Sequence, residues 1–143
     1  MAPVGPPAAS AGYFDHDADI GIIGRGPTVE TAFERAATAV FAVITDPSAI
    51  RPLSRVEIAF DEDDLEFALV RWLNGLLSAA REEGLALAQF QLKRDGAHWA
   101  GMARGEPWRA DLERGVEVKG ATLTELSVAR DDGNWEARCV VDV

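Results

Sequence analysis

The segment from residue 28 to residue 44 reads TVETAFERAATAVFAVI and carries the clearest structural signal in the chain. Its apolar residues recur at intervals of three and four, the spacing that places side chains on one face of an α-helix. This face consists of Val29, Ala32, Phe33, Ala36, Ala37, Val40, Phe41 and Ile44. Pro27 precedes the segment and Asp46-Pro47 follows it, and such residues bound helices. The sequence therefore predicts a helix from Thr28 to about Ile44 whose apolar face packs into a core.

A second helix is predicted from about Asp63 to Glu83. Its apolar stripe is formed by Leu65, Leu69, Trp72, Leu73, Leu76 and Ala80. The acidic run Asp61-Glu62-Asp63-Asp64 stands at the positive end of this helix, and Gly84 suits its C-terminal cap. We interpret the acidic run as a helix start stabilised by the helix dipole, not as a metal site.

The rest of the chain alternates apolar and polar residues with the period of half-buried strands. The predicted strands cover residues 56–60, 85–93, 99–104, 116–118, 126–128 and 135–143. Arg94-Asp95-Gly96 and Asp131-Asp132-Gly133-Asn134 are turn signals between neighbouring strands. Consecutive strands late in the chain favour an α+β fold, a single domain of mainly antiparallel β-sheet packed with two α-helices. We assign this domain to residues 12–143 and a disordered Pro- and Ala-rich tail to residues 1–11.

The charge balance argues against several classes of function. The chain has 24 Asp and Glu against 14 Lys and Arg, a formal net charge of −10. Such a surface opposes the phosphate backbone of nucleic acids, so we expect no direct RNA or DNA binding. No apolar run approaches the ~18–20 residues of a membrane span, and residues 1–10 do not resemble a secretory signal. We therefore expect no membrane association and a cytoplasmic location.

Common catalytic motifs do not occur in the sequence. Cys139 is the one cysteine, which excludes an internal disulfide, and it lies in mid-strand on the predicted buried side, where packing is its expected role. Gly24-Arg25-Gly26 begins like a dinucleotide-binding fingerprint, but the sixth position is Val29. The chain has neither a phosphate-binding Gly-Lys-Ser/Thr loop nor a Gly-x-Ser-x-Gly nucleophile elbow.

The acidic segment near the N-terminus points to ion binding. If residues 13–22 are extended, Asp15, Asp17 and Asp19 project from one face, with neighbouring carboxylates ~6–7 Å apart. Such charges repel, and they are tolerated when they are solvated, protonated or neutralised by a cation. Hard oxygen ligands favour calcium or magnesium. An EF-hand loop is excluded, because its sixth and twelfth positions lack the required Gly and Glu.

The last predicted strand offers further oxygen ligands. It ends in Val140-Val141-Asp142-Val143, and Asp142 points away from the apolar side of the strand. The α-carboxylate of Val143 adds a second anion beside it. If this strand pairs with residues 13–22, carboxylates from both ends of the sequence meet. The alternative, a solvated strand end with ordinary surface acids, stays open at this point.

Six blocks of the sequence together resemble the archease family. They are Asp15-His16-Asp17-Ala18-Asp19-Ile20-Gly21-Ile22, Thr28 with the helix residues Ala32-Phe33 and Ala36-Ala37, Trp72-Leu73-Asn74-Gly75-Leu76-Leu77, Gly105-Glu106, Glu117-Val118-Lys119-Gly120-Ala121-Thr122 and Val140-Val141-Asp142-Val143. Their order and spacing match the family from about Tyr13 to the last residue. Each block alone is weak, but the combination is specific.

The resemblance implies a function and a site. Archeases are protein cofactors of the RtcB-type RNA ligase: they promote its guanylylation by GTP and its repeated turnover in tRNA splicing and RNA repair, and they are not themselves the catalyst. The family's metal site falls on Asp19, Asp142 and Val143. We expect it to bind calcium or magnesium, with manganese as an alternative. Further candidates for the pocket or for partner contact are Asp15, His16, Asp17 and Lys119.

Departures from the family pattern lie close to this site. Asp17 stands where the family usually has Thr, and Leu123-Thr124 replaces a usual Tyr-His, so the effect of both on binding is open. His16 and Lys119 also keep structural interpretations, as a hydrogen-bonded strand residue and as a surface lysine. Two other functions stay open as well: an independent metal-dependent phosphoester hydrolase and a general chaperone-like interaction module.

Overall fold

The structure is a computed structural model that describes residues 13–16 through their backbone and residues 19–143 in full. The predicted tail, residues 1–11, and the candidate residue Asp17 lie outside the described residues. The elements are, in chain order, β1 (Tyr13–His16), β2 (Asp19–Gly26), α1 (Val29–Ile44), a short 3-10 helix (Pro47–Ala49), β3 (Ser54–Asp61), α2 (Leu65–Glu83), β4 (Leu85–Asp95), β5 (His98–Pro107), β6 (Gly120–Ala121), β7 (Ser127–Asp131) and β8 (Asn134–Asp142).

The strands form two sheets in which every described pairing is antiparallel. The first sheet has the order β1-β2-β8-β6, with β7 also paired to β8, and the second has the order β3-β5-β4. Helix α1 packs against β2, β4 and β8, whereas α2 packs mainly against β3 and β6. The predicted α+β fold, antiparallel sheets with two helices, is confirmed.

A side-chain cap sets the start of each helix. The Thr28 hydroxyl accepts the Thr31 backbone N–H at 3.0 Å and caps α1. Asp64 caps α2 by accepting the N–H groups of Glu66 and Phe67 at 2.9 and 3.0 Å. The acidic run at the start of α2 is therefore a helix cap, as predicted, and α2 begins two residues later than expected because Asp64 is the cap.

The helices of the described residues can be compared with the prediction that the chain has no membrane span. Neither α1 nor α2 combines the length and the apolar character that a membrane-spanning helix needs. The cytoplasmic location stays a prediction.

Two tryptophans anchor the core between the helices and the second sheet. Trp72 and Trp99 are fully buried, and a buried indole N–H is costly unless it finds an acceptor. Trp72 donates to the carbonyl oxygen of Phe33, and Trp99 donates to that of Glu62, both at 3.0 Å. The Phe33 ring stacks on Trp99 with centroids 5.3 Å apart. The predicted position of Trp72 on the buried stripe of the second helix is confirmed.

Gly24 allows α1 to lie directly on β2. A Cβ atom at this position would overlap the carbonyl oxygen of Ala32 and the amide nitrogen of Ala36, which are backbone atoms of α1. Backbone atoms of a packed helix have little room to yield. Glycine is therefore required at this strand position by the close approach of the helix.

The strand predicted at residues 116–118 is wrong. Residues 108–119 connect β5 to β6 without regular secondary structure. The N–H of Gly115 donates to the carbonyl oxygen of Ile44 at 2.7 Å, so this part of the chain satisfies the C-terminal end of α1 and does not pair in a sheet. Val118 is buried but Val116 is exposed, so the Val-Glu-Val alternation of residue types is not an alternation of burial.

Cys139 provides a first test of the packing. It is fully buried in the middle of β8, as predicted, and burial raises the pKa of its thiol to about 12. At pH 8 only about one thiol in ten thousand is then ionised, and the thiolate is the reactive form. We expect no reaction of the folded protein with a chromogenic disulfide reagent at pH 8, and complete reaction after unfolding in guanidinium. Rapid labelling of one thiol per native chain would contradict this packing.

Candidate metal site

The candidate site lies where β2 begins and β8 ends. The two strands are antiparallel neighbours, with Ile20 opposite Val141. Continuing this register by one residue places Asp19 opposite Asp142. Asp19 is half-buried and Asp142 is exposed. The predicted pairing of the first acidic segment with the last strand is confirmed, and the use of the two carboxylates as metal ligands stays a prediction.

The acidic segment is not one extended strand, although its predicted row of aspartates requires one. β1 and β2 pair with His16 opposite Asp19 and Asp15 opposite Ile20. Tyr13–His16 and Asp19–Gly26 are therefore two antiparallel strands and not one continuous strand. Asp15 and Asp19 belong to different strands, so the single extended segment on which the predicted row of aspartates depends is not observed, and Asp17 lies outside the described residues. A role of Asp15, His16 or Asp17 in the pocket stays a prediction.

Lys119 lies beside the end of β8. Its backbone N–H donates to the carbonyl oxygen of Asp142 at 2.7 Å, and its side chain is exposed. The next residue, Gly120, stands opposite Asp142 in the sheet. Asp142 therefore has β2 on one side and the segment that contains Lys119 on the other.

The donor atoms available here suit a hard cation. Aspartate and a terminal carboxylate offer oxygen alone, which is the ligand type of magnesium and calcium. The described residues contain no group of three or more His, Cys, Asp and Glu side chains able to hold a metal. An ion held by Asp19 and Asp142 would therefore need the Val143 α-carboxylate or water to complete its shell, and magnesium commonly keeps several waters.

Two residues that contact this region were not predicted to have a role. Asn74 and Arg81 on α2 form hydrogen bonds with backbone atoms of residues 118–121. In the sequence both are ordinary polar positions on an amphipathic helix. Two signals were available: Asn74 stands in one of the blocks that resemble the archease family, and both residues lie outside the predicted apolar stripe, seven residues apart and thus on one helix face.

Glu106 is a further residue whose role the sequence did not reveal. Its side chain is 1% exposed and accepts hydrogen bonds from the guanidinium groups of Arg51 and Arg109 at 2.8 and 2.9 Å. The Arg51 backbone N–H donates to it at 2.6 Å. Arg109 also donates to the carbonyl oxygen of Ala49 at 2.8 Å. Glu106 therefore fixes the start of the 108–119 connection against the chain around the short 3-10 helix.

The Glu106 network predicts an acid-dependent loss of stability. Hydrogen bonds from Arg51, then those from Arg109, lower the pKa of Glu106 from 4.5 to about 2. A lowered folded-state pKa stabilises the protein above the unfolded-state value and loses this effect as the pH falls through the folded-state value. We expect Glu106→Gln to lower the urea midpoint by an amount that is constant above about pH 5 and shrinks between pH 4.5 and 2.

The matched control for this prediction is Glu57→Gln. Glu57 is 70% exposed and pairs with Arg55 at 3.1 Å on the surface, so its removal should leave the urea midpoint nearly unchanged at every pH. A Glu106→Gln effect that does not vary with pH would show that the carboxylate charge is not what stabilises this network.

A cleft of about 560 Å³ lies beside the 108–119 connection and the C-terminal ends of both helices. At its rim the guanidinium of Arg114 stacks over the Trp108 ring, 3.9 Å from the centroid. Its lining includes one carboxylate, that of Glu117, and two arginines, Arg81 and Arg114. Cations near a single carboxylate disfavour a metal ion. The candidate metal site is therefore at the paired strands and not in this cleft, despite the volume of the cleft.

The fold and the site define a small α+β protein whose acidic strand ends, from opposite ends of the sequence, meet in one sheet. Residues 12–143 match the Archease protein family. Protein archease from Sulfolobus acidocaldarius is 40% identical over 134 residues, which cover 92% of this chain and 96% of that protein. Protein archease from Pyrococcus furiosus is 36% identical over 137 residues with the same coverage. The chain belongs to the archease family, and the resemblance found in its motifs is confirmed.

Solved structures agree with this assignment. The solution structure of Methanobacterium thermoautotrophicum protein 1598 matches with a TM-score of 0.84 and 32% identity, covering 92% of this chain and 96% of that one. A crystal structure from Thermotoga maritima, described as an archease and possible chaperone, matches with a TM-score of 0.65 and 22% identity, covering 91% and 94%. The second likeness shows the shared fold alone.

Proposed function

We propose that this protein is a non-catalytic, metal-binding activator of an RtcB-type RNA ligase, which promotes guanylylation and multiple turnover of the ligase in tRNA splicing and RNA repair. Membership of the archease family supports the class of function. The observation that carries the proposal at the level of residues is the pairing of β2 with β8, because it brings Asp19 and Asp142 to neighbouring positions.

In this proposal Asp19, Asp142 and the α-carboxylate of Val143 hold one divalent cation, calcium or magnesium, with manganese as an alternative. The exposure of Asp142 leaves one side of the ion open to the ligase or to its nucleotide. When bound, the ion supplies positive charge that offsets the negative charge of a triphosphate. Lys119 adds a cation at the edge of the same site, and its backbone N–H holds the carbonyl group of Asp142.

The surface charge supports action on a protein and not on RNA. The net charge of −10 repels a phosphate backbone over most of the surface. It also favours docking on a basic surface, which a ligase that holds RNA is expected to have. The chain would then reach RNA metabolism through its partner, with no RNA contact of its own.

A multiple-turnover ligation assay tests the proposal. It uses the RtcB-type ligase from the same organism, GTP, and RNA ends that carry a 3′-phosphate and a 5′-hydroxyl, with and without this protein. We expect turnover beyond the first cycle, and faster guanylylation, when this protein and a divalent cation are both present. No stimulation would contradict the proposal. Phosphoester hydrolysis without ligase would indicate an independent hydrolase, and protection of unrelated unfolded proteins would indicate a general chaperone.

The role of Val143 has its own test. A Gly-Ser extension after Val143 moves the terminal carboxylate away from Asp142, so we expect weaker binding of Ca²⁺ and Mn²⁺ in calorimetric titrations, by roughly 10-fold or more. The same extension at the N-terminus is the control and should leave affinity unchanged. Equal affinity of both extended proteins would exclude Val143 as a ligand.

A further inference from the structure

Strand β6 is so short that its position depends on contacts with neighbouring elements. It has two residues, Gly120 and Ala121, and on one side it pairs with the end of β8, where Asp142 stands opposite Gly120. No described strand pairs with its other side. Backbone groups at a strand edge need other partners, and here helix α2 supplies them.

Asn74 occupies the place of a neighbouring strand at this edge. Its side-chain oxygen accepts the N–H of Ala121 at 2.8 Å, and its amide nitrogen lies 3.5 Å from the carbonyl oxygen of the same residue. Gly120 gives this approach room, because a Cβ atom there would make a tight contact of 3.2 Å with the Asn74 oxygen. The Asn74 side chain therefore binds β6 as the next strand of a sheet would.

Arg81 binds the backbone just before β6, as Asn74 binds the backbone of β6 itself. Its guanidinium donates to the carbonyl oxygens of Val118 and Lys119 at 3.3 and 2.5 Å. Arg81 follows Asn74 by seven residues, so both project from the same face of α2. These hydrogen bonds hold both ends of the 118–121 segment against α2. The buried side chain of Val118 adds an apolar contact.

Residues in or next to this segment in turn form hydrogen bonds with the end of β8. The N–H of Lys119 donates to the carbonyl oxygen of Asp142 at 2.7 Å, and the N–H of Thr122 donates to that of Val140 at 2.9 Å. Asp142 is the last residue of β8, and the end of a terminal strand frays unless it is bound on both sides. One side is bound by β2, and the other is bound by a segment whose position depends on Asn74 and Arg81.

We propose that Asn74 and Arg81 are positioning residues of the metal site: they fix residues 118–121 and thereby hold Asp142 in the geometry that binds the cation. This inference rests on the proposed function, because it takes Asp142 as a ligand. Partners that orient a metal ligand without touching the ion typically change affinity by 10–100-fold when they are removed.

The test compares metal affinity and amide exchange in four proteins. These are the wild type, Asn74→Leu, Arg81→Met and the control Arg71→Met, which removes an exposed arginine of the same helix that pairs with Glu62 and not with the 118–121 segment. We expect Asn74→Leu and Arg81→Met to bind Ca²⁺ and Mn²⁺ roughly 10-fold or more weakly, with faster hydrogen exchange at the Lys119 and Ala121 amides. Arg71→Met should match the wild type in both measurements.

A conservative variant separates positioning from general stability. Arg81→Lys keeps a cationic donor within reach of the same carbonyls, so it should recover part of the affinity lost in Arg81→Met. If the wild type binds the ion while Asn74→Leu and Arg81→Met bind it equally well, this inference is overturned and the proposed function stands. If the wild type binds neither Ca²⁺ nor Mn²⁺, the proposed metal site fails and the inference fails with it.

Discussion

Asp142→Asn is expected to reduce the multiple-turnover rate of the ligase to the rate without this protein. The amide keeps the size of the side chain but removes the negative charge that makes a carboxylate a strong ligand of a hard divalent cation. We expect affinity for Ca²⁺ and Mn²⁺ to fall by at least about 10–100-fold, the range known for partners more distant from the ion. Because Asp142 is exposed, the metal-free protein should keep its stability within about 0.5 kcal/mol.

Asp132→Asn is the matched control for this variant. Asp132 is also an exposed aspartate of the described chain, and it lies in the turn between β7 and β8, away from the candidate site. Its φ angle is 53°, a conformation that asparagine accepts as readily as aspartate. This control should activate the ligase as the wild type does. Full activation by Asp142→Asn would contradict the role given to this carboxylate.

Gly24→Ala is expected to have a large effect on stability. The added methyl group would overlap Ala32 and Ala36 in the backbone of α1, so the helix would have to move away from β2. Overpacking of a core costs about 1–3 kcal/mol, and we expect a loss of about 3 kcal/mol because backbone atoms cannot rotate away. For a domain of this size the melting temperature should fall by roughly 10 °C, as measured by calorimetry.

A glycine with free space around it provides the comparison. Gly96 has a φ of 60°, and no atom lies within 4 Å of a Cβ built on it. Gly96→Asn should therefore change stability by less than about 0.5 kcal/mol, since asparagine tolerates this backbone conformation. If Gly24→Ala is as mild as Gly96→Asn, the contact between α1 and β2 is looser than the structure indicates.

The features that the sequence predicted correctly depend on local physics. Thr28 and Asp64 cap the two helices because a side-chain oxygen beside free N–H groups has the same effect in any fold. The turn at Asp132-Gly133 could be predicted because its two central residues accept positive φ angles, here 53° and 81°. The antiparallel character of the sheets followed from the run of consecutive late strands.

The errors arise where distant parts of the chain decide the structure. At residues 116–118 the alternation exists in the residue types alone, because Val116 is exposed and Gly115 bonds to the end of α1, and no local signal shows this. The acidic segment before Asp19 was taken as one strand because alternation alone does not reveal a reversal between two short strands.

The candidate site could be predicted only in part, because it too depends on contacts between distant parts of the chain. The sequence suggested that the last strand could pair with the acidic segment near the N-terminus, and the family resemblance singled out Asp19 and Asp142. Asn74 and Arg81 could not be assigned, because their partners are backbone groups 37–47 residues away along the chain. Sequence patterns report which side chains are buried, and they do not report which backbone groups a polar side chain will bind.

The central claim is that Asp19 and Asp142 hold one ion between them, and a double-mutant cycle of metal affinity tests it most directly. Ca²⁺ and Mn²⁺ titrations are compared for the wild type, Asp19→Asn, Asp142→Asn and the double variant. Two ligands of one ion are strongly coupled, so we predict that the double variant binds little more weakly than the weaker single variant. Losses that simply add, or single variants that bind as the wild type does, would contradict a shared site.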